Sequence, residues 1–280
     1  MTFNKPTADI FIPSGGAPEP ALQGVTHLGV GAHQDDLEFM AFHGILQCYE
    51  TPGAGFCGVT CTDGAGSPRS GAYARYTDVE MRAIRRKEQR TASQVGHYRA
   101  MFQLDFSSAE IRGGLNPGLV ADLAAIISAA RPRVLYTHNP ADRHATHVAV
   151  MRHVLHALRG LPPGHRPEKF YGCESWRGLD WMPQSRTRVL DVGGREHLAA
   201  SLSGVFDSQI AGGKRYDLAH LGRSRANATL SASHGVDTLS AAVFAMDLMP
   251  LLENPGLEPR DYVGAIIDDF KDEVLGNLGE

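Results

Sequence analysis

The sequence is poor in cysteine. Its 280 residues include only Cys48, Cys57, Cys61 and Cys173, and their spacing forms no paired Cys-x-x-Cys motif. A disulfide-stapled secreted module and a structural zinc finger are therefore excluded. We expect all four side chains to be reduced thiols of a cytoplasmic protein.

Long hydrophobic runs and an excess of positive charge are also missing. Residues 1–16 contain one lysine, two prolines and the short apolar stretch Ile10–Ile12, which predicts neither a signal peptide nor a transmembrane span. The formal net charge is −4 and the pI is about 6.3, whereas a nucleic-acid-binding domain presents a strongly basic face. We expect no membrane insertion and no nucleic-acid partner, and the composition leaves homo-oligomerisation open.

The residues that are present predict one α/β domain. Apolar residues make up 42% of the chain, which is enough for a sizeable core, and no linker, charge block or internal repeat divides it. Hydrophobic patterns alternate between the strand and helix periods, which predicts a Rossmann-like, mostly parallel sheet with helices on both faces. We place an N-terminal extension at residues 1–24 and a single domain at residues 25–280.

The expected elements can be placed along the chain from these patterns. The predicted strands cover residues 25–31, 55–62, 133–137, 169–174 and 187–192. The predicted helices cover residues 38–49, 78–95, 117–130, 148–158 and 195–206. The last 40 residues are predicted to be helical in two segments separated near Pro255, because proline interrupts a helix.

Two short polar runs lie where a predicted strand gives way to a helix. Ala32-His33-Gln34-Asp35-Asp36 follows the first strand, and Asp142-Arg143-His144-Ala145-Thr146-His147 follows the strand at 133–137. In open α/β sheets, ligands bind outside the carboxyl ends of the strands, where the strand order reverses. The two runs are therefore expected to meet at one site.

The residue types in the two runs suit a mononuclear zinc centre. A catalytic zinc ion takes three nitrogen or oxygen ligands from the protein and keeps one position for water, and His33, Asp36 and His147 supply that number. Asp35 is next to Asp36 but points in another direction, so it is the candidate general base for a water whose pKa zinc lowers to about 7. His144 precedes His147 by three residues and would stabilise an oxyanion or protonate a leaving amine.

These runs resemble the motifs of the LmbE/PIG-L family of zinc-dependent deacetylases, which remove acetyl groups from N-acetylglucosamine-containing substrates. The first run resembles the family motif Ala/Pro-His-Pro-Asp-Asp-Glu, and the second resembles Pro-Asp-x-His-x-Asp-His. The resemblance extends over residues 25–210 through the glycine-rich loop Thr62–Arg69, the Arg85-x-x-Glu88 pattern and the run Phe206–Gln209. It implies the same roles, with His33, Asp36 and His147 as metal ligands, Asp35 as the base and His144 as the electrostatic or acid group.

The sequence departs from the family motifs at three positions. Gln34 replaces a proline, Leu37 replaces a glutamate, and Thr146 replaces the aspartate that orients the acid histidine in the family. A threonine hydroxyl cannot stabilise an imidazolium by charge, so the pKa of His144 is expected to be lower than is usual in the family. Asp142 is the candidate to replace the missing carboxylate, and we assign Asp142 and Thr146 to the surroundings of the metal ligands.

The glycine-rich loop lacks the Lys-Ser/Thr ending of a P-loop, so it does not predict a nucleotide site. We predict instead that Arg69 binds substrate, because a guanidinium offers fork-like donors to sugar hydroxyls or phosphate; the alternative is a solvated surface arginine. Trp176 and Trp181 either stack on sugar rings or pack against other side chains. Candidate specificity loops cover residues 63–76, 111–118 and 174–186.

Taken together, these features predict a zinc-dependent hydrolase that removes an N-acetyl group from a small amino-sugar conjugate. A His2Asp ligand set also accepts Fe2+ or Co2+. One alternative is an amidase that cleaves a larger acyl or thiol-conjugated group from an amino sugar, in which case no acetate would form. Another is a non-catalytic metal- or sugar-binding protein, against which the presence of Asp35 argues.

Overall fold

One eight-stranded sheet runs through the part of the chain that the computed structural model describes, residues 1–230 and 234–279. Its spatial order is β1-β4-β3-β2-β5-β6-β8-β7. The strands are β1 (Asp9–Phe11), β2 (His27–Gly31), β3 (Phe56–Thr62), β4 (Ala100–Phe106), β5 (Val134–His138), β6 (Lys169–Cys173), β7 (Thr187–Asp191) and β8 (Ala242–Asp247).

The centre of the sheet is parallel. Strands β4, β3, β2, β5 and β6 pair in parallel, while β1, β8 and β7 add antiparallel pairs at the two edges. The chain builds β2, β3 and β4 towards one edge and then returns to place β5 on the other side of β2. The strand order therefore reverses between β2 and β5, which is where α/β sheets bind ligands.

Helices cover both faces of this sheet. They are α1 (Pro18–Leu22), α2 (Asp36–Met40), α3 (Phe42–Cys48), α4 (Asp78–Val95), α5 (Ser108–Arg112), α6 (Pro117–Ala130), α7 (Ala145–Gly160), α8 (Glu196–Gly204), α9 (Asp207–Ile210), α10 (Tyr216–Thr229), α11 (Met249–Glu253) and α12 (Pro259–Leu278). In the described part of the chain, none of them is long and apolar enough to cross a membrane.

Two buried clusters form the core, one on each face. Alternate residues of a strand point to opposite faces, and Leu135 of β5 packs in the cluster with α6 and α7, whereas Tyr136 packs in the cluster with α2, α3 and α8. The predicted single α/β domain with a mostly parallel sheet and helices on both faces is confirmed. All four cysteines are buried and unpaired, as the sequence predicts.

Local signals fixed some element bounds better than others. Helices α4 and α6 have the predicted bounds, because Thr77 forms a capping box with Glu80 and Asn116 caps α6 ahead of a proline. The helix predicted at 38–49 is interrupted at Ala41, where φ is −105° and ψ is 14°. The prediction that residues 242–247 are helical is wrong, since they form β8; a short, buried apolar run does not distinguish a helix from a strand.

The first 24 residues contribute to the same sheet. Strand β1 pairs antiparallel with the edge strand β4, and Leu22 of α1 is buried in the core. The Asp9 carboxylate of β1 also pairs with the Arg90 guanidinium of α4. The segment predicted as an N-terminal extension thus covers an edge that would otherwise expose unpaired backbone groups.

The capping box of α4 gives a test of this fold. Replacing Thr77 with alanine removes the hydroxyl that accepts the Glu80 N–H, so we expect the free energy of unfolding to fall by about 1 kcal/mol. Thr77→Ser keeps the hydroxyl and should be close to the wild type. Urea denaturation of the three proteins measures the difference, and an unchanged midpoint in Thr77→Ala would contradict the assigned cap.

Candidate functional site

The first polar run forms the turn between β2 and α2. Asp36 begins α2, and its Oδ2 accepts a hydrogen bond from the His33 N–H at 2.6 Å. The turn places Asp35 in the left-handed region, with φ at 91° and ψ at −28°, which is uncommon for a residue with a side chain. The two neighbouring carboxylates consequently have different contacts, because Asp36 meets histidines and Asp35 meets an arginine.

The second polar run connects β5 to α7 and forms the first turn of that helix. Asp142 Oδ1 accepts the His144 N–H at 2.8 Å, and the His144 Nδ1 accepts the Thr146 N–H at 3.3 Å as the N-cap of α7. The helix therefore begins at Ala145, three residues before the predicted start. The first turn of α7 places His147 beside Asp36, in the turn that follows β2.

The three predicted metal ligands lie together, with the two imidazoles facing different oxygens of the Asp36 carboxylate. His33 Nδ1 and His147 Nε2 are 3.3 Å apart, and each nitrogen is 3.4 Å from a carboxylate oxygen of Asp36. Tetrahedral zinc with ligand bonds of about 2.0–2.1 Å separates its ligand atoms by about 3.4 Å. The donor types thus fit a bound metal ion. Among the described residues, the groups whose ligand atoms all lie within 4.8 Å of one another are His33 with His144 and His147, and Asp36 with His138 and His147, so His147 is common to both.

The electrostatics of the three groups agree with that fit. Burial opposes ionisation of Asp36, but His147 and His138 beside it hold the pKa of this carboxyl well below its usual value. Burial lowers the pKa of His33, which favours the neutral imidazole that a metal needs. Burial also disfavours the charged form of His147, but Asp36 and Asp142 outweigh it and raise the pKa of His147; a metal ion would displace that proton.

Asp142 lies behind His147, where the sequence placed a supporting group. Its Oδ1 is 3.6 Å from His147 Nδ1, and that nitrogen is buried without a closer partner. Histidines that bind metals usually direct the second ring nitrogen to a carboxylate or carbonyl, which fixes the ring. The Asp142 carboxylate is therefore positioned to orient a ligand, and towards His144 it contacts only the backbone amide.

His138 is a member of the cluster that the sequence analysis did not identify. It is the last residue of β5, its ring stacks on His147 at 3.7 Å, and its Nε2 lies 3.2 Å from Asp36 Oδ2. The same nitrogen accepts the Ala32 N–H at 2.9 Å, so its lone pair is engaged with the backbone. A histidine directly after a predicted strand was the available signal.

Asp35 contacts a buried arginine rather than the histidines. The Arg85 Nη1 lies 3.3 Å from Asp35 Oδ2, and its Nη2 donates to the Gln34 carbonyl at 2.5 Å. The Asp35 N–H donates to Gln89 Oε1 at 3.2 Å. Burial raises the pKa of Asp35 to about 7, and the guanidinium limits that rise. A carboxyl in this state can accept a proton near neutral pH.

The departure at Thr146 changes the surroundings of His144. Burial and the neighbouring His33 and His147 lower the pKa of His144 to about 4, in the direction that the sequence predicts. Because His144 Nδ1 accepts the Thr146 N–H, the proton of a neutral ring is on Nε2. His144 therefore offers an N–H donor without needing a charge.

A cavity of about 570 Å³ opens over these groups. His33, Asp35, Asp36, His144 and Thr146 line it together with cationic and aromatic side chains, namely Arg85, Arg112, Lys214, Arg223, Phe39, Trp176, Tyr216 and His220. Trp176 is 39% exposed and carries the Lys214 ammonium over its ring. Trp181, in contrast, packs against Phe270.

One wall of this cavity comes from the C-terminal third of the chain. Lys214, Tyr216, His220 and Arg223 belong to α10 and the loop before it. They were not found from the sequence because no recognisable motif surrounds them. Their side chains decide what can lie beside the cluster, so much of the specificity is expected to reside in them.

Arg69 is placed away from the cavity. Its Nη2 donates to the Ala65 carbonyl and pairs with Asp78 Oδ1, both at 2.5 Å. The guanidinium is therefore engaged inside its own loop, and it does not line the cavity. Binding of substrate by Arg69 stays a prediction, which steady-state kinetics of Arg69→Ala can decide through a raised KM.

The geometry predicts a graded series of metal affinities. His147→Ala removes a ligand, whereas Asp142→Asn removes only the charge behind it, for which a loss of roughly 10- to 100-fold is expected. We expect His147→Ala to lose more than that and His156→Ala, on the exposed side of the same helix, to lose nothing. Competition with a chelator measures the three constants, and wild-type affinity in His147→Ala would remove it from the ligand set.

Comparison with known proteins agrees with this arrangement. Residues 28–158 match the family model of PIG-L, described as GlcNAc-PI de-N-acetylase. No curated protein sequence matches the chain significantly. The matched segment begins in β2 and ends in α7, and it contains both polar runs.

Solved structures share the fold at low sequence identity. N,N′-diacetylchitobiose deacetylase from Pyrococcus horikoshii is 14% identical, with a TM-score of 0.64 over 82% of this chain and 85% of that chain. The 4-carboxy-2-hydroxymuconate hydratase from Pseudomonas putida is 17% identical, with a TM-score of 0.61 over 80% and 96%. The zinc-inhibited form of teicoplanin deacetylase is 16% identical, with a TM-score of 0.55 over 79% and 97%. Residues 28–158 thus match the PIG-L family model, and the fold of the chain is that of these structures.

Proposed function

We propose that this protein is a metal-dependent N-deacetylase that acts on a small amino-sugar conjugate of the N-acetylglucosamine type. The observation that carries the proposal is the meeting of His33, Asp36 and His147, whose donor atoms lie 3.3–3.4 Å apart in pairs. The separate carboxylate of Asp35 lines the same cavity as His33 and Asp36. The family match over both polar runs supports it, as do the neighbours named deacetylases.

His33, Asp36 and His147 would hold the metal ion, with zinc as the first candidate and Fe2+ or Co2+ as alternatives. When bound there, the ion would supply Lewis-acid chemistry, which polarises a carbonyl and makes water more acidic. His138 supports this group from the side by stacking on His147. Asp142 supports it from behind.

Asp35 would act as the general base. Its carboxylate accepts the proton of the attacking water, and a raised pKa near 7 suits both taking and returning a proton. Arg85 holds the carboxylate in place from one side, and Gln89 holds the backbone from the other. The same proton can then pass to the nitrogen of the leaving amine.

His144 would stabilise the oxygen of the amide carbonyl as negative charge develops on it. The Thr146 N–H occupies Nδ1, so the ring directs the Nε2 proton outward as a neutral donor. Preorganised donors of this kind act most strongly where charge develops in the transition state. We therefore assign His144 to electrostatic stabilisation, and the role of acid falls to the protonated Asp35.

Two alternatives share this chemistry or this fold. An amidase for a larger acyl or thiol-conjugated group would use the same residues, and a non-catalytic binding protein would hold metal without hydrolysis. The hydratase neighbour indicates that the fold alone does not specify deacetylation. Incubating metal-loaded protein with a panel of N-acetylated amino sugars, and assaying acetate and free amine, separates these functions.

The role of Asp35 predicts a loss of rate without a loss of metal. Asp35→Asn removes the base but no ligand, so we expect kcat to fall by about 10²–10⁴-fold with unchanged metal content. Elemental analysis and steady-state kinetics on one preparation test both statements. A variant with wild-type kcat would exclude Asp35 as the base, and a metal-free variant would make it a ligand.

The role of His144 predicts a difference between two substitutions. His144→Ala removes the donor, and loss of one donor to a developing oxyanion lowers kcat by about 10²–10³-fold. His144→Gln offers an amide N–H at a similar distance and should recover at least part of that loss. Equal kcat values in both variants would mean that the ring acts otherwise, for example through a proton that glutamine cannot supply.

A further inference from the structure

A second cavity of about 240 Å³ adjoins the first one. It lies between α2, α8, α10 and the end strands β7 and β8, and its apolar lining includes Phe42, Ala199, Leu221 and Val243. None of the groups assigned to metal binding or proton transfer lines it. An apolar cavity of about 150 Å³ already admits benzene, so this one has room for an aromatic ring or a short alkyl chain.

The two cavities share one wall. Phe39, His220 and Arg223 line both of them, and the rings of Phe39 and His220 stack at 4.0 Å with an angle of 4° between their planes. Burial lowers the pKa of His220 to about 3, so its ring packs as a neutral aromatic surface. A molecule that extends past this stacked pair would have one part in the first cavity and another part in the second.

The charged groups around the second cavity limit what it can accept. Glu38 and Glu174 line it, and both are buried carboxyls with partners inside the protein: Tyr98 and Gln89 donate to Glu38, and the Phe244 N–H donates to Glu174. The other charged groups of the lining also have partners in the protein: Glu196 pairs with Arg225, Asp217 pairs with Arg215, and Arg223 donates to the Ser175 carbonyl. The lining therefore suits an uncharged, apolar group.

The outer side of the cavity is also apolar. Leu218 and Leu221, on α10, line it and are 55% and 43% exposed. Large apolar side chains at the mouth of a concave site are typical of ligand-binding grooves. Since Tyr216, His220 and Arg223 of the same helix line the catalytic cavity, α10 contributes to both.

We propose that the second cavity is a subsite for an uncharged apolar substituent of the substrate whose reacting amide lies in the first cavity. This proposal rests on the proposed function, because it makes the substrate an amino-sugar conjugate that carries a hydrophobic group. For the proposed deacetylase that group is an apolar aglycone, and for the alternative amidase it is an N-acyl chain longer than acetyl. Because the two cavities adjoin at the stacked pair, we assign the second cavity to another part of the same substrate rather than to a separate ligand.

Two substrate series distinguish the two sources of the group. One series extends the N-acyl chain of glucosamine, and the other extends the alkyl aglycone of N-acetylglucosamine. Burying a methylene is worth about a fourfold change in affinity, so KM should fall by about two- to fourfold per carbon in one series until the cavity is filled. Flat KM values in both series would overturn the subsite.

Substitutions in the cavity test its location. Ala199→Phe fills it from α8, and we expect it to abolish the chain-length dependence while leaving kcat/KM for the shortest substrate unchanged. Ser201→Phe, on the same helix but outside the cavity, is the matched control and should keep the dependence. If Ala199→Phe retains the wild-type dependence, the apolar group binds elsewhere.

A second pair of variants avoids the risk of misfolding. Leu221→Asp changes an exposed cavity residue, whereas Leu230→Asp changes a more exposed leucine outside the cavity. We expect Leu221→Asp to weaken binding of the substrate with the longest apolar chain by about tenfold or more, because several carbons would lose their burial. Leu230→Asp should have no effect on that binding. Equal behaviour of the two variants would contradict the proposal.

Calorimetry with hexyl and methyl β-D-glucopyranoside measures the subsite without any reaction. Tighter binding of the hexyl compound that is lost in Ala199→Phe would support the subsite even if no amino sugar is hydrolysed, and only the proposed reaction would then fail. Hydrolysis of N-acetylglucosamine conjugates together with equal binding of both glucosides and flat KM values in the N-acyl series would overturn the subsite alone.

Discussion

The parallel pairing of β2 with β5 is the constraint on which the rest of the site depends. The two strands are neighbours at the place where the strand order reverses, so the turns that follow them open on the same edge. His33 and Asp36 come from one turn and His147 from the helix after the other. A shift of register by one residue would move every side chain of a strand to the opposite face, and the 3.3–3.4 Å spacing of the donors would be lost.

Helix α4 adds a second constraint from outside the two turns. Arg85 is only 2% exposed, and it is held between the Asp35 carboxylate and the Gln34 carbonyl. The turn supplies partners for both terminal nitrogens of this buried guanidinium, and burying a charge without partners is costly, so the turn and the helix stabilise each other. The Arg85 Nε has no hydrogen-bond partner among the described residues. The left-handed conformation of Asp35 persists because this surrounding structure holds it. The candidate base is therefore positioned by tertiary packing of a helix that begins more than 40 residues later in the chain.

The sequence predicted the parts of the molecule that carry local signals. Capping residues delimited α4 and α6, and the two polar runs identified the five side chains that the structure brings into one cluster, although their roles are still predictions. His138 was missed because its position in the cluster depends on the stacking of its ring on His147 rather than on a motif. β8 was missed because its short, buried apolar run shows neither the alternation of a half-exposed strand nor the period of an amphipathic helix. Arg69 was assigned from its loop, but its ion pair with Asp78 could be seen only in three dimensions.

The division between chemistry and specificity follows the chain. The family match ends at residue 158, and it includes every group proposed to bind metal or to move a proton. The aromatic and cationic walls of the cavity come mostly from residues 174–223, beyond that match. The solved proteins that share this fold include both a deacetylase and a hydratase, which fits this arrangement. A new substrate can then be accommodated by changing α10 and the loops around it, since those side chains line the cavity without holding the donor cluster together.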